Sequence, residues 1–311
     1  MGQVCSVVDL GTNTFQLLVA EPLLEFPGIR ILHQSQVPVT LGKGAMETGQ
    51  IQPDAMQRAI QALTNFKAKA LELGSGPSQI MCLGTSILRR ATNAEELLSH
   101  IEAMGMRSQV ISGLEEADFI HTGIIHSLPQ PWAKCSLVMD IGGGSVEFIL
   151  FEGRKVHFKI SLEVGGLRLL SLFHMNGMYD PAINPELDMF IEKELAPVWQ
   201  ACARFRPEVL IGAAGAFETI WELEHAGKLG ESIPASDVLD ITQFYTQKNL
   251  VENTESEHRK LIPGMKAFRA GILPYANALI AMVLEKTGIL ELRVSSFSLK
   301  EGYWFSQQGR G

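Results

Sequence analysis

Cysteine is scarce in this chain. Cys5, Cys82, Cys135 and Cys202 are the only four in 311 residues, and no two stand at metal-ligand spacing. That pattern excludes a disulfide framework and a zinc site. Cys5, Cys82 and Cys135 lie in or beside apolar strand-like runs, where a reduced, buried thiol is the usual state. Charge is sparse too: 19% of residues are charged, with 26 Lys and Arg against 34 Asp and Glu. The resulting net charge of -8 argues against non-specific nucleic-acid binding, which needs a basic field. Long apolar runs are missing. The longest apolar helical stretch, around Pro274 to Leu284, is too short to span a bilayer, so no membrane association is expected. No charged-then-apolar leader precedes the first strand-like run, and a cytoplasmic location is the expectation. Low-complexity segments and short-period repeats are absent, and the eight histidines form no recognisable constellation. What remains is 46% hydrophobic, long enough for two domains that each bury a core.

What is present is a motif used twice. Val138–Leu150 contains Asp140, Gly142, Gly143, Gly144, Ser145 and Glu147 in the order apolar run, Asp, Gly-rich loop, apolar run. Laid over Val7–Val19, it pairs Asp9 with Asp140, Gly11 with Gly142 and Thr14 with Ser145. Each copy reads as a β-hairpin whose tight loop can turn backbone N–H groups and hydroxyls toward an anion. Asp and Gly are ordinary turn residues, so one copy alone signals only a turn. A turn, however, needs neither a hydroxyl after the Gly-rich run nor a distant second copy. Gly11, Thr12, Asn13 and Thr14, with Gly142, Gly143, Gly144 and Ser145, are therefore candidate phosphate-binding residues.

Strand-like and helix-like segments alternate, which predicts an α/β architecture. Helices are expected over Pro53 to Leu73, Asn93 to Met104, Glu115 to His126, Gly165 to Phe173, Pro185 to Arg204, Val238 to Asn249 and Ala267 to Thr287. Strands are expected over Ile29 to Val39, Gln79 to Leu83, up to Val110-Ile111, Lys155 to Leu162, Val209 to Ile211 and Leu292 to Ser295. Glu252 to Lys260 reads as a solvated helix face. The turn cluster Leu128-Pro129-Gln130-Pro131 puts a domain boundary near residues 120 to 130.

Chemistry-bearing residues gather around these punctuation points. Asp140 and Glu147 flank the second loop, a spacing that can bring two carboxylates together to hold Mg²⁺ directly or through water. The first copy has Asp9 and Gln16 instead, so the second hairpin is the better metal site. Glu115 and Glu116 open a helix. They either complement its dipole or supply a general base for water. Arg89 and Arg90 follow a buried strand, and the planar guanidinium suits phosphate oxygens. Asp9, Lys43, Arg168, Gly212 and Gly215 are further possible substrate contacts. The turn Gly212 to Ala216 fits a helix N-terminus that takes a phosphate as well as it fits close helix–strand packing. Because the chain is acidic, a polyanion would be admitted only where a bound cation and local Arg and Lys reverse the field.

Together these motifs resemble the exopolyphosphatase/guanosine pentaphosphate phosphatase family, from Val7 to about Gly302. Asp9-Leu10-Gly11-Thr12-Asn13-Thr14 is similar to the first phosphate loop of that family and Asp140 to Ser145 to the second. Gly84-Thr85 with Arg89 and Asn93, and Ile111 to Ala117, resemble the blocks between. The resemblance implies two actin-like, ribonuclease H-like lobes with an interdomain cleft, one over residues 1–125 with 300–311 returning to it, the other over 126–299. It assigns the general base to Glu116, metal handling to Asp140 and Glu147, and a clamp to Arg89. It implies release of terminal phosphate from inorganic polyphosphate or guanosine pentaphosphate, with Mg²⁺ or another divalent cation and a possible homodimer. A small-molecule kinase of the same superfamily and a non-catalytic sensor of phosphorylated nucleotide are the alternatives. The chain departs from the family pattern at Val146, at Thr40 to Lys43, at Ala216, at Gly271 and in Ser298 to Gly302.

Overall fold

The computed structural model describes residues 3–173, 179–226 and 233–309. The chain divides into two compact units, Met1–His126 with Ser298–Gly311, and Ser127–Phe297. Each unit is built on its own sheet.

The first unit contains β1 (Cys5–Leu10), β2 (Thr14–Pro22), β3 (Ile29–Pro38), β4 (Ile80–Gly84) and β5 (Arg107–Val110), in the order β3-β2-β1-β4-β5. β1 pairs antiparallel with β2 and parallel with β4. Alternation along the strands sends Val8, Leu10, Phe15, Leu17 and Val19 to one face. There they share a core with Ala55, Met56, Ala59, Leu63, Phe66 and Ala70 of the helix Pro53–Glu72. That helix follows the three-and-four spacing of its apolar residues. It starts with Pro at its first position, where no N–H is needed.

The second unit contains β6 (Cys135–Ile141), β7 (Val146–Glu152), β8 (Lys155–Leu162), β9 (Val209–Ala213), β10 (Ser236–Leu239) and β11 (Glu291–Ser295), in the order β10-β11-β9-β6-β7-β8. Read from β8, this repeats the first sheet: two antiparallel neighbours, then two parallel ones, with β10 added antiparallel at the edge. The repeat extends to an irregularity. The β2–β3 register slips by one residue at Val19/Ala20, and the β7–β8 register slips by one at Leu150/Phe151.

Several elements differ from the sequence expectation. The helix expected over Pro185 to Arg204 is two helices, Asn184–Glu194 and Ala196–Phe205. Pro197 cannot continue a helix because it lacks the N–H and crowds the preceding turn. Val238 lies in edge strand β10, and the helix begins after it as Ile241–Asn253, capped by Asp240 Oδ1, which accepts from the N–H groups of Thr242 and Gln243. The long helix expected from Ala267 starts at Leu273, after a short 3₁₀ turn, with Pro274 in its first turn. Glu252 to Lys260 is not one solvated helix face: it spans the end of one helix and the short helix Ser256–Arg259, and Glu252 and Arg259 are buried in it. Arg259 is 1% exposed, and its Nε donates to the Val251 carbonyl while its guanidinium lies over the Tyr179 ring. All four cysteines are free thiols, and burial pushes Cys82 and Cys202 up to about 12. His174 lies outside the described residues.

The C-terminal helix Leu299–Gln307 belongs to the first unit and lies against β1 and β2. It crosses the helix Gly113–Ser127 at a glycine pair. A Cβ on Gly302 would fall 1.6 Å from the Phe119 carbonyl oxygen, and one on Gly123 2.3 Å from the Ser298 carbonyl oxygen. Tyr303 meets Phe119 edge-on and Phe305 stacks on His126. Glu301, fully buried, accepts from Gln34 Nε2 and from the Ser298 N–H. Gly302→Ala is expected to lower stability by about 1–3 kcal/mol or more, the cost of overpacking a tight contact. Urea unfolding of the variant checks this, and an unchanged midpoint would contradict the crossing.

Candidate functional site

The parallel strands end at one edge of each sheet, and the candidate residues follow those ends. In the first unit they are the loop after β1, Thr85 to Arg89 after β4, and Ser112 to Glu116 after β5. In the second they are the loop after β6 and the turn after β9. Ligands of α/β sheets are bound beyond the carboxyl ends of parallel strands.

The loop of each hairpin has its carbonyls captured from behind. In the second unit Gly165 N–H donates to the Gly144 carbonyl at 3.0 Å, Gly166 to Gly142 at 3.0 Å, and Leu167 and Arg168 to Gly143 at 2.9 and 3.1 Å. Thus the first turn of the helix Gly166–Phe173 spends its otherwise orphaned N–H groups on the loop rather than on a ligand. Gly142 N–H closes the loop onto the Ser145 carbonyl at 3.0 Å. Among the described residues, the N–H groups of Gly143, Gly144 and Ser145 donate to no carbonyl. Successive free N–H groups in a tight turn make an anion-binding concavity.

The first unit reaches the same result with different parts. Val39 and Thr40 N–H donate to the Asn13 carbonyl at 3.0 and 2.7 Å, and Gly42 N–H to the Thr12 carbonyl at 2.9 Å. The N–H groups of Thr12 and Asn13 likewise find no carbonyl among the described residues. The bracing turn is itself held by Arg58, whose Nε donates to the Val39 carbonyl and whose Nη2 donates to Thr40 Oγ1. Arg58 carried no signal in the sequence because it is one polar position on a long helix. Lys43, in the bracing turn, is exposed.

Asp140 and Glu147 are direct cross-strand partners, as are Asp9 and Gln16. Directly opposed residues of an antiparallel pair share a face, with Cβ atoms roughly 4.5–5.5 Å apart. Both pairs lie on the face opposite the apolar one that carries Met139, Ile141, Val146 and Phe148, or their counterparts Val8, Leu10, Phe15 and Leu17. Asp140 is 6% and Glu147 1% exposed. Two carboxylates are a hard-oxygen donor set. Among the described residues no group of three or more His, Cys, Asp or Glu gathers into a metal-holding cluster. A pair of carboxylates is a donor set that an ion such as Mg²⁺ could use, since it takes one or two carboxylates and completes its shell with water and phosphate oxygens.

The two adjacent glutamates have different employment. Glu115 is the N3 residue of a capping box: Ser112 N–H donates to Glu115 Oε2 at 2.8 Å, and Glu115 N–H to Ser112 Oγ at 3.2 Å. The Ser112 N–H holds this exposed carboxyl below the usual range. Glu116 is buried and accepts from Arg89 Nη1 at 2.7 Å, while the same Nη1 donates to the Ile111 carbonyl at 3.1 Å. Arg89 thus fixes Glu116 with one nitrogen, and its remaining donors take no part in that pair.

Other motif residues are structural. Asn93 accepts from the Ile51 N–H and donates to the Ile51 carbonyl, as a strand neighbour would. In the turn after β9, a Cβ on Gly212 would strike the Phe217 ring at 1.9 Å. One on Gly215 would meet the Arg269 guanidinium at 2.4 Å. Arg269 donates to the Gly215 carbonyl and to Thr219 Oγ1 and pairs with Glu218. Close packing accounts for both glycines.

Comparison with known proteins bears on the family and the fold. The sequence pattern of the Ppx/GppA phosphatase family matches residues 20–310. The crystal structure of an exopolyphosphatase from Cytophaga hutchinsonii superposes with a TM-score of 0.90 at 31% identity, covering 99% of each chain. The Ppx/GppA family member of Aquifex aeolicus superposes with a TM-score of 0.80 at 25% identity, covering 99% of this chain and 98% of that one.

Gly165 is the closest approach in the second loop: its Cβ would lie 2.5 Å from Gly144 C and 2.6 Å from Gly143 C. Gly165→Ala is expected to displace the Gly142–Ser145 amide resonances and cost about 1–3 kcal/mol. Gly271→Ala, whose Cβ meets only Leu170 Cδ1 at 3.8 Å, serves as the control, and equal behaviour of the two would contradict the carbonyl capture.

Proposed function

The chain belongs to the Ppx/GppA phosphatase family, and from that premise we propose that it hydrolyses a terminal phosphoanhydride bond, releasing phosphate from inorganic polyphosphate or guanosine pentaphosphate. The observation that carries this reading is the twice-built loop with its carbonyls captured and its N–H groups uncommitted. A chain of phosphates offers anionic oxygens that a loop of this kind can take up. The Cytophaga relative's name favours polyphosphate as the first substrate to try.

In this reading Glu116 accepts a proton from water as the water oxygen attacks the terminal phosphorus in line. The bond from that phosphorus to the bridging oxygen breaks, and the shortened chain leaves with the electron pair. Arg89 holds and aims the Glu116 carboxylate through the 2.7 Å contact, and its other donors would serve the transferred group. The amides of Gly143, Gly144 and Ser145, with those of Thr12 and Asn13, neutralise charge on phosphate oxygens. Such preorganised donors and positioning are where phosphoryl-transfer catalysis mostly lies. Mg²⁺ held by Asp140 and Glu147 would supply further charge neutralisation. No helix among the described residues is long and apolar enough to cross a membrane.

The kinase alternative requires a base for a substrate hydroxyl. The Glu116–Arg89 pair carries no feature specific to that acceptor, so water is the simpler choice. Phosphate release from long-chain polyphosphate, guanosine pentaphosphate and ATP with Mg²⁺ present tests the proposal. Glu116→Gln is expected to lower turnover by at least about 10²-fold with substrate affinity nearly retained. Equal turnover in the variant would remove Glu116 from the chemistry, and no release from any substrate by the parent protein would leave the sensor reading.

A further inference from the structure

Across the second sheet, four residues stand in one row: Ala213 on β9, Asp140 on β6, Glu147 on β7 and Ser161 on β8. The last of these has no place in the family motifs named above. Ser161 Oγ donates to Glu147 Oε1 at 2.7 Å. A serine hydroxyl has one proton to give, and here it is given to a carboxylate that is 1% exposed.

That contact exists because of the register slip. The β7–β8 turn pairs Glu152 with Lys155 and Phe151 with Val156, a count that continued without interruption would set Ile160 opposite Glu147. One extra residue, His157, is accommodated between the Phe151↔Val156 and Leu150↔Phe158 pairs. Beyond it the alignment moves by one, and Ser161 replaces Ile160 as the partner of Glu147. A bulge re-aims the side chains that follow it. The bulge residue is anchored: His157 stacks on Phe205, and its Nε2 lies 3.6 Å from Glu152. In the first sheet the corresponding slip aligns Gln36 with Gln16, so that row offers amides where this one offers a carboxylate and a hydroxyl.

We propose that Ser161 is a positioning residue for the divalent-cation site, its hydroxyl fixing the Glu147 carboxylate in the orientation in which Glu147 and Asp140 hold one ion. This rests on the assignment of Asp140 and Glu147 as the metal-holding pair. The physical basis is that a carboxylate held at one oxygen loses its rotational freedom before the ion arrives. Ligands oriented by outer hydrogen bonds bind metal more tightly, and loss of such a partner typically costs about 10–100-fold in affinity.

The test is direct titration with Mn²⁺ alone, followed by electron paramagnetic resonance, with no phosphate compound present. Ser161→Ala and the nearly isosteric, weakly donating Ser161→Cys are expected to bind Mn²⁺ about tenfold or more weakly. Ser161→Thr, which keeps the hydroxyl on a strand-compatible side chain, should restore the parent affinity. Should Ser161→Ala not fold, the Cys and Thr pair carries the comparison. Parent-like affinity in Ser161→Ala or Ser161→Cys, beside weakened binding in Glu147→Gln, overturns the role of Ser161 alone, and a lowered melting temperature without lost affinity does the same. Parent-like affinity in Glu147→Gln removes the metal assignment itself, and this inference with it.

Discussion

The arrangement depends on one constraint, that a loop made to receive an anion must hide its carbonyl oxygens. A turn of three or four residues exposes as many acceptors as donors, and an anion is repelled by the first as much as it is drawn by the second. Both hairpins resolve this by supplying N–H groups from the segment that follows in the chain. The first turn of a helix does it in the second unit, and the turn after β3 in the first. The glycines follow from that requirement. A Cβ on Gly165 would overlap the loop it braces, and one on Gly42 would strike Thr12 Cγ2. Backbones this close leave no room for a side chain.

The same economy separates Glu115 from Glu116. Two adjacent glutamates at a helix start are electrostatically equivalent in the sequence. In the structure one closes the capping box and the other is buried against Arg89. A buried ion pair is costly to maintain for stability alone, since desolvation offsets much of the attraction. Its place beyond the end of a parallel strand is where α/β proteins put chemistry.

Duplication explains why the chain could be read as far as it was. The hairpin copies were legible because their polar residues interrupt apolar runs at matching positions, and the copies fold with matching registers, Asp9 opposite Gln16 and Asp140 opposite Glu147. The helix Pro53–Glu72 was legible from its spacing. Glu252 to Lys260 was misread because the charges that mark a solvated face in sequence here include Arg259, buried under Tyr179 and bonded to a backbone carbonyl. Val238 was misread because a four-residue edge strand leading into a capped helix leaves no periodicity of its own.

By itself the sequence determined the α/β class, the two hairpins, the family motifs and the candidate residues, because each is written in local order and spacing. Which groups those residues would meet was decided only by the tertiary structure. Arg58 reaches the brace of the first loop from a distant helix. Arg269 fills the turn beside Gly215. Ser161, rather than Ile160, stands opposite Glu147 because a single bulged residue shifts the ladder. A one-residue slip exchanges the two faces of a strand, and no count along the chain reveals where the slip will fall.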